Sequence, residues 1–425
     1  MDYKAIYGTH DLLPGEVAQW QYIEKKIRET MALYNYKEIR TPIFEQTELF
    51  SRSIGEDTDI VQKEMYTFFD QGKRSITLRP EATASVVRAY LEHNLSKVSP
   101  LVKLYYIGPM FRQERPQKGR LRQFHQFGAE ALGSLDPAVD AEMIKLSTKI
   151  FFDLGINDFT LHLNSIGCKK CKNIHRDIFI KYVKERFEDF CPECQIRLTR
   201  NPLRIFDCKN KECVELLKDA PAMKDYLCEE CKNHFNKVKI YLDDLKIKYK
   251  EDTRLVRGLD YYTKTVYEIK SSLLGAQDTL CGGGRYDLLV SELGGKPTQA
   301  IGFSSGIERM VLVLDLKKKN IVADERLDLF IAPLGEEAKR KALKLIVDLR
   351  AKNIRCDMDY LNRSLKSQMK EANRQKAKKV LIIGEEEMKK NKGILREMET
   401  GEQKEIEFEK LVQELSEGIK NKNEK

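Results

Sequence analysis

Eight cysteines in one stretch constrain the fold of this chain more than any other feature. The chain has 425 residues and ten cysteines, and eight of them lie between Cys168 and Cys231. Pairs separated by two to four residues are typical of tetrahedral zinc sites. The stretch is therefore predicted to be a unit of its own, with either one or two structural zinc sites or reduced thiols in a small core. The four pairs are Cys168/Cys171, Cys191/Cys194, Cys208/Cys213 and Cys228/Cys231.

Two histidines close to these cysteines, and two cysteines far beyond the stretch, are considered separately. His175 and His234 have the chemistry of substitute metal ligands but are expected at the surface. Cys281 and Cys356 lie outside the paired pattern and are expected to be packed thiols.

Composition and the absence of long apolar stretches indicate in which cellular compartment the protein acts. Apolar residues make up 41% and charged residues 33%, which is typical of a soluble globular protein. The longest apolar stretches, such as residues 310–314 and 380–383, are too short to cross a bilayer. The first residues have neither the basic start nor the apolar run of a secretory signal, so a cytoplasmic location is expected. The net charge of +9 is compatible with a polyanionic partner but is modest for this length.

Periodicity divides the chain into a core, an insertion and a separate C-terminal domain. Strand-like, glycine-rich sequence is interrupted by the lysine- and cysteine-rich stretch and resumes at Arg254. After Glu325 the order strand, helix, strand, helix, strand predicts a small α/β domain with a largely parallel sheet. The predicted limits are 1–163 and 251–322 for the two parts of the core, 164–250 for the insertion and 325–425 for the C-terminal domain.

A hairpin with a charged tip is predicted in the first part of the core. Residues 101–106 and 121–132 have strand character, and the segment RPQKGR at 115–120 separates them. Gly128 would leave room on the second strand for something other than a side chain. Polar groups in mid-sheet are costly to bury without ligands, although a solvent-facing sheet would also accommodate them. One face of the second strand carries Arg122, Phe124, Gln126, Gly128, Glu130 and Leu132.

Four further segments concentrate polar residues or glycines. TLRPEAT (77–83) places Glu81 and Thr83 at a strand-to-helix turn, and RGLDYYT (257–263) combines an arginine with two tyrosines. CGGGRYD (281–287) would let the backbone approach a ligand closely, but it lacks the Lys-Ser or Lys-Thr of a phosphate-binding P-loop. Arg309 falls in the first turn of a predicted helix, where the helix dipole and the guanidinium together favour phosphate.

Taken together and in order, these segments resemble the class II aminoacyl-tRNA synthetases, and the histidyl-tRNA synthetase family closely. The segments that match are TLRPEAT, the hairpin at 111–130, RGLDYYT, CGGGRYD and GFSSGIER at 302–309. One departure is Ala82, which stands where bacterial relatives usually have glycine. The resemblance implies an α+β catalytic core with a mixed, mainly antiparallel class II sheet of six to seven strands. It also implies a helical cysteine-rich insertion and a C-terminal α/β anticodon-binding domain.

The resemblance also implies an activity and its partners. It implies a histidine–tRNA ligase, which forms histidyl-adenylate from histidine and magnesium ATP and transfers the histidine to the 3′ end of tRNA(His). It implies a homodimer formed through the segment around Pro42. In the adenylation step the protein supplies position and positive charge more than a proton-transfer base.

The resemblance assigns roles to individual residues. The implied catalytic arginines are Arg257, Arg112 and Arg309. The implied histidine-binding residues are Glu81, Ala82, Thr83, Arg112, Gln126, Glu130, Arg257, Tyr261, Tyr262 and Tyr286. The implied ATP-binding residues are Arg112, Glu114, Arg120, Phe124 and Arg309. The implied tRNA-binding residues are Gln117 and Lys118 at the hairpin tip, and Arg363, Lys366, Lys370 and Arg374 on a C-terminal helix, which without the resemblance would be a solvated basic face.

Two other classes of protein share part of this pattern. Non-catalytic relatives that regulate a phosphoribosyltransferase of histidine synthesis have the same core, but they typically lack the C-terminal domain and have eroded ligand motifs. A zinc-ribbon nucleic-acid binder would account for the cysteines but not for RGLDYY and GGGRYD. An assay of ATP dependence separates all three classes.

Overall fold

The computed structural model describes residues 3–56, 58–318 and 326–423. These residues form two compact units, one within residues 1–321 and one within 322–425. The predicted end of the core at residue 322, the start of the C-terminal domain at Glu325 and its end at residue 425 lie outside the described residues. Among the described helices, none combines the length and the apolar character that a membrane crossing requires.

The first unit contains eleven strands and ten α-helices among its described residues. The strands are β1 (Lys37–Glu38), β2 (Phe44–Gln46), β3 (Tyr66–Phe69), β4 (Ser75–Leu78), β5 (Val102–Phe111), β6 (Gln123–Leu132), β7 (Thr160–Ser165), β8 (Lys250–Glu251), β9 (Thr263–Lys270), β10 (Thr279–Arg285) and β11 (Ala300–Gly306). The helices are α1 (Pro14–Leu33), α2 (Thr47–Ile54), α3 (Thr83–Glu92), α4 (Pro137–Asp153), α5 (Lys169–Lys184), α6 (Pro192–Arg200), α7 (Lys211–Leu216), α8 (Glu229–Asp244), α9 (Leu289–Glu292) and α10 (Ile307–Leu316).

An eight-stranded sheet organises this unit. Its strand order is β1-β5-β6-β11-β10-β9-β7-β8, and the strands pair antiparallel except at the two edges. The edge strands β1 and β8 have two residues each and add to the six or seven strands expected. The prediction of a mixed, mainly antiparallel class II sheet is therefore confirmed. A second sheet of three strands has the order β2-β4-β3.

Helix α1 covers one part of this sheet because its apolar residues recur every three or four positions. Trp20, Ile23, Ile27 and Met31 are buried in one core cluster with residues of α4 and the sheet. Pro14 occupies the first turn, where its missing N–H costs nothing. This spacing alone predicts an amphipathic helix after Pro14 and Gly15, and the structure confirms it with a start at Pro14 itself.

The hairpin differs from the prediction in two details. Strand β5 extends to Phe111 and β6 begins only at Gln123, because the chain leaves the ladder after the bond from Arg112 N to Arg122 O. The expectation that Gly128 leaves room for something other than a side chain is wrong. A Cβ on Gly128 would lie 2.3 Å from the hydroxyl of Tyr106, so a tyrosine from β5 occupies that space.

Helices α5 to α8 occupy the cysteine-rich stretch between β7 and β8. Ser165, the last residue of β7, still pairs with Thr265 of β9 in the main sheet. The helices are joined by short 3₁₀ turns at Phe187–Asp189, Pro202–Asp207, Leu217–Asp219 and Met223–Tyr226. The limits 164 and 250 of an inserted domain stay a prediction, since the contacts group this stretch with the first unit.

The second unit is a sheet covered by helices. Its strands are β12 (Leu329–Pro333), β13 (Cys356–Met358), β14 (Lys379–Ile383), β15 (Lys392–Glu397) and β16 (Gln403–Glu407), and its helices are α11 (Glu336–Ala351), α12 (Leu365–Arg374), α13 (Glu385–Lys389) and α14 (Phe408–Asn423). The order is β13-β12-β14-β15-β16, in which the first three strands are parallel and the last two antiparallel. The α/β prediction is confirmed, but the sheet is mixed, because the hairpin β15–β16 extends the predicted parallel part.

Candidate active site

A cavity of about 310 Å³ opens over the centre of the main sheet. Its wall is formed by β6, β10 and β11, the turn before α3, the loop before β9 and the start of α10. The sequence segments that carried the resemblance therefore converge on one place. The predicted site residues that line it are Glu81, Thr83, Arg112, Glu114, Arg120, Phe124, Gln126, Arg257, Tyr261 and Arg309.

Two buried carboxyl groups lie near one end of this cavity: Glu81 lines it, and Glu130 is buried beside it. Glu81 accepts hydrogen bonds from the backbone N–H of Thr83 at 2.6 Å and of Ala84 at 2.9 Å, so it occupies the N-terminus of α3. Glu130 accepts from the Thr83 hydroxyl at 2.8 Å and the Tyr286 hydroxyl at 2.6 Å. Burial raises the pKa of Glu81 and raises that of Glu130 from 4.5 to about 8. Although Arg112 partly offsets the effect of burial at Glu81, burial dominates at both carboxyl groups, so this part of the cavity favours a cationic or hydrogen-bond-donating ligand.

Aromatic rings close the same end. Tyr261 packs on Tyr262 with ring centroids 4.8 Å apart and meets Tyr286 at 5.7 Å. All three are buried. In the part of the chain that the structure describes, Gln126 Oε1 is buried without a hydrogen-bond partner and lines the cavity. Buried acceptors are normally paired, so this oxygen indicates a place for a donor from a ligand.

Glycines make room for the charged side chains of the site. A Cβ on Gly302 would lie 1.6 Å from Glu130 Oε2, and one on Gly282 would lie 2.2 Å from the Arg257 guanidinium. The glycines of CGGGRYD were expected to let the backbone approach a ligand. At Gly282 the close approach is instead to Arg257, which the missing Cβ admits to the cavity.

Arg257 is held from two sides. Its guanidinium donates to Glu268 of β9, and its Cζ lies 5.6 Å from the ring centroid of Tyr262. Although burial opposes the charge, the carboxylate of Glu268 holds the pKa of Arg257 above its ordinary value. The side chain is therefore a fixed cation between the tyrosine end of the cavity and its other end.

Three further arginines gather around the start of α10. Arg309 donates to the backbone oxygens of Gly119 at 3.2 Å and Thr279 at 2.5 Å. Burial and the neighbouring charges of Arg120 and Arg112 lower its pKa. A concentration of like charges at a helix N-terminus is a site for an anion with several negative charges.

An aromatic ring lies beside these arginines. The Cζ of Arg112 is 5.3 Å from the ring centroid of Phe124, and its Nε donates to Pro80 O at 2.9 Å. Glu114 forms an ion pair with Arg120, with 2.9 Å between Oε2 and Nε. A planar group stacked on Phe124 would have phosphates within reach of the arginines.

Some predicted site residues lie away from this cavity. Gln117 and Lys118 are exposed at the hairpin tip, where Gln117 pairs with Arg120. Four others lie in the second unit, before and on α12. Lys366 and Lys370 are exposed one helical turn apart, whereas Arg363 and Arg374 both pair with Glu371, at 3.0 and 2.5 Å.

The eight paired cysteines form two groups of four free thiols. We call Cys168, Cys171, Cys228 and Cys231 the proximal tetrad, and Cys191, Cys194, Cys208 and Cys213 the distal tetrad. Within each tetrad the four sulfurs lie within 4.8 Å of one another. Each tetrad combines two sequence pairs, and the proximal one joins the first pair to the last.

The expectation that His175 and His234 are surface residues is wrong. Both are buried, at 2% and 8% exposure, and neither belongs to a tetrad. His175 bonds the carbonyl of Pro221 at 2.8 Å and stacks on Phe179. His234 lies 3.1 Å from Asp140 in the core. Cys281 and Cys356 are buried as predicted, and Cys281 also lines the cavity.

Comparison with known proteins decides the family. A family model described as histidyl-tRNA synthetase matches residues 8–170 and 204–310, and a model described as anticodon binding domain matches 328–418. A histidine–tRNA ligase of Halothermothrix orenii is 53% identical over 98% of this chain and 99% of its own length. One from Moorella thermoacetica is 51% identical over 95% of this chain and 96% of its own. The chain belongs to the histidyl-tRNA synthetase family.

Solved structures agree with this assignment. Apo histidyl-tRNA synthetase of S. aureus has a TM-score of 0.83 at 43% identity, covering 98% of this chain and 100% of that one. A Bacillus halodurans protein titled as a regulatory subunit of ATP phosphoribosyltransferase/histidyl-tRNA synthetase has a TM-score of 0.66 at 22% identity, which shows the shared fold alone. This histidyl-tRNA synthetase family member is thus an aminoacyl-tRNA synthetase, a ligase with histidine–tRNA ligase activity.

Sequence reasoning missed several residues of the site in this synthetase. Glu268 anchors Arg257, and Glu308 accepts from the backbone N–H of His125 at 2.7 Å while lining the cavity. Arg285 was grouped with the glycine-rich segment but is fully buried, bonded to Asp140 at 2.8 Å. The single acidic residue of β9 (TKTVYEIK), between Tyr267 and Ile269, was the signal available for Glu268.

Proposed function

We propose that the cavity activates histidine with magnesium ATP and transfers the histidyl group to tRNA(His). The observation that carries this proposal is one continuous cavity lined by Glu81, Tyr261 and four arginines. Glu130, Tyr262 and Tyr286 are buried beside this lining. The carboxylate end suits an ammonium and an imidazole, and the arginine end suits a triphosphate. Arg257, between the two ends, is near where a carboxylate and an α-phosphate would meet.

In the first step the histidine carboxylate attacks the α-phosphorus of ATP and pyrophosphate leaves. Arg112 and Arg309 hold the phosphates, and Arg257 stabilises the charge that develops between the carboxylate and the α-phosphate. Arg120 contacts the outer phosphates, Phe124 stacks on the adenine, and Glu114 lies near that base. This step requires no proton-transfer base, which agrees with the four arginines that line the cavity.

Selection of histidine rests on paired hydrogen bonds. Glu81, Thr83 and Gln126 surround the α-ammonium, next to the buried backbone of Ala82. Glu130 and Tyr262 bond the two imidazole nitrogens, and Tyr261 and Tyr286 complete the wall. An amino acid without these ring nitrogens leaves buried polar groups unpaired, a discrimination of roughly 10⁴-fold or more. That Gln126 Oε1 has no partner among the described residues supports this role.

The tRNA is proposed to contact both units. Gln117 and Lys118 would face the acceptor stem, because the hairpin tip that carries them borders the cavity through Gly119. In the anticodon-binding unit the exposed Lys366 and Lys370 carry more of the attraction than their neighbours Arg363 and Arg374, whose charge is shared with Glu371.

Assembly and location complete the proposal. The enzyme acts in the cytoplasm as a homodimer that includes the segment around Pro42. Apolar side chains are exposed close to this segment, among them Ile43 and Phe44, and an exposed apolar patch favours a protein interface.

The cysteine-rich segment is proposed to bind structural zinc. Zinc–thiolate bonds of about 2.3 Å place tetrahedral sulfurs about 3.8 Å apart, whereas a disulfide is about 2.05 Å long. Cys168 and Cys171 sulfurs are 3.6 Å apart, and those of Cys191 and Cys208 are 3.8 Å apart. The donor set and its spacing therefore fit zinc.

The test of the activity is histidine-dependent exchange of labelled pyrophosphate into ATP. The wild-type protein is expected to exchange with histidine alone among the amino acids, and Glu130→Ala is expected to lose exchange by 100-fold or more. Glu188→Ala, which removes an exposed carboxylate of the same unit, is the matched control. A folded wild-type protein that binds histidine but supports no exchange would refute the proposal in favour of a regulatory subunit.

A further inference from the structure

The proximal tetrad lies against the loop that carries two tyrosines of the cavity. The residue after Cys171 is Lys172, near the start of α5. Its ammonium donates to the backbone oxygen of Tyr262 and lies 3.5 Å from that of Asp260. The helix that begins at the tetrad therefore holds the backbone of RGLDYYT directly.

A second connection runs from the other half of the same tetrad. Glu230 lies between Cys228 and Cys231 and accepts from Lys264 Nζ at 3.0 Å. Lys264 is 6% exposed and follows the tyrosine pair by two residues. Its ammonium also lies 3.6 Å from Asp287, the neighbour of Tyr286. Lys264 thus connects the Cys228–Cys231 segment of the proximal tetrad to the two segments that carry the cavity tyrosines, RGLDYYT and CGGGRYD.

The backbone makes a third connection. Lys264 N donates to Gly167 O at 2.8 Å, and Ile166 N donates to Lys264 O at 2.8 Å. Gly167 has a φ of +65°, and a Cβ there would lie 2.4 Å from the Cβ of Cys171. Lys264 itself has a φ of +47°, which a non-glycine residue adopts only when its surroundings impose it. Movement of the tetrad would release this conformation at the start of β9.

The distal tetrad is connected to the same loop more loosely. Asn201 donates to the Asp260 carboxylate at 3.1 Å, and the Arg204 guanidinium lies beside Gly258, but neither residue is adjacent to a cysteine of that tetrad. The distal tetrad is surrounded by the small apolar core around Phe179 and Phe190. The two tetrads therefore differ in how directly they reach the tyrosines.

We propose that the proximal tetrad is a metal site that positions the histidine pocket, whereas the distal tetrad stabilises only the inserted segment. The bound ion is a thiophilic divalent cation, and zinc fits the four thiolates. Its ligands fix Lys172 and Glu230, which in turn fix the backbone at Tyr262 and Lys264. Both residues are positioning residues, and the inference rests on the zinc binding and the histidine pocket proposed above.

The metal half of the proposal is tested by elemental analysis of the full chain purified under reducing conditions. The wild-type protein is expected to hold two zinc ions per chain. Cys171→Ser and Cys194→Ser should each hold one, while Cys356→Ser, a buried thiol of the other unit, should hold two. Cobalt added to the demetallated protein should give thiolate charge-transfer bands for both sites. Absence of zinc together with absence of cobalt binding would overturn the proposal.

The positioning half is tested by calorimetric titration of histidine into zinc-loaded variants. Lys172→Met keeps the tetrad and the apolar stem but loses the ammonium, so it should keep two zinc ions and bind histidine about tenfold more weakly. Lys170→Met, an exposed lysine two residues earlier, should bind like the wild type. ATP binding should be unchanged in both.

The cysteine variants complete the comparison. Cys171→Ser should weaken histidine binding at least as much as Lys172→Met, and Cys194→Ser by less than threefold. Equal weakening in the two cysteine variants, or wild-type affinity in Lys172→Met, would overturn the positioning role. Because histidine affinity is measured directly, a failure of the proposed ligase activity would appear separately, as absent pyrophosphate exchange in the wild-type protein.

Discussion

Replacing Glu130 by glutamine is expected to stabilise the ligand-free protein, and the effect should depend on pH. The side chain is 1% exposed, and burial raises its pKa from 4.5 to about 8. Between pH 4.5 and about pH 8 the folded chain keeps a proton on Glu130 that the unfolded chain has released. Stability therefore falls as pH rises, by about 1.4 kcal/mol per pH unit.

The magnitude follows from this interval. At pH 7 the accumulated cost in the wild-type protein is about 3 kcal/mol, and it levels off above pH 8 at about 5 kcal/mol. Glutamine is neutral at every pH and can still bond the hydroxyls of Thr83 and Tyr286. The free energy of unfolding of Glu130→Gln should therefore be about 3 kcal/mol higher than that of the wild type at pH 7. At pH 4.5 the two values should be nearly equal.

Urea unfolding followed by tryptophan fluorescence measures this difference. Trp20 is the only tryptophan of the sequence and is buried in the first unit, so its signal reports that unit. Glu188→Gln, at an exposed position, is the matched control and should follow the wild type at each pH. A Glu130→Gln protein that is less stable than the wild type at pH 7, or whose advantage does not grow with pH, would refute the reasoning.

Three further changes have defined outcomes. Gly302→Ala should lower kcat/KM for histidine in pyrophosphate exchange by about 100-fold, because its Cβ would displace the Glu130 carboxylate, and an unchanged value would show that the carboxylate can move without cost. Asp140→Asn should lower the free energy of unfolding by about 3 kcal/mol in the same urea assay, since it removes the carboxylate charge that pairs with the fully buried Arg285. A loss below about 1 kcal/mol would contradict this. Lys366→Glu with Lys370→Glu should raise the KM for tRNA about tenfold at low salt, with pyrophosphate exchange as the tRNA-independent control, and no change would exclude this face of α12 from tRNA binding.

The sequence was sufficient for the course of the main elements but not for their ends. Strand character along β6 and the helical spacing in α1 gave the correct elements, and in α1 burial of one face imposes that period. The hairpin β15–β16 was missed, since KGILRE and QKEIE carry more charged than apolar residues. The position at which β5 ends depends on a bond from Gln113 N to Glu64 O, a partner that no local pattern reveals.

The candidate site shows the same division. The order of the motifs predicted that Glu81, Glu130, Arg257 and Arg309 belong to one site. In the structure Glu81, Arg257 and Arg309 line one cavity, and Glu130 is buried beside it. The occupant of the space at Gly128 could not be foreseen, because it belongs to another strand. Spacing alone also left open how four cysteine pairs combine, since that depends on which helices lie side by side.

The pairing of β7 with β9 has a consequence for how the chain is made. Ser165 pairs with its neighbour Thr265 only after about a hundred further residues have been synthesised, which takes on the order of 5–20 s at ordinary translation rates. Its other neighbour, β8, is made almost as late. During that interval a buried strand with two open edges has left the ribosome, and open edges recruit other chains. A cysteine-rich segment that folds early would shorten the search when β9 emerges, because it holds the start of α8 beside the end of β7.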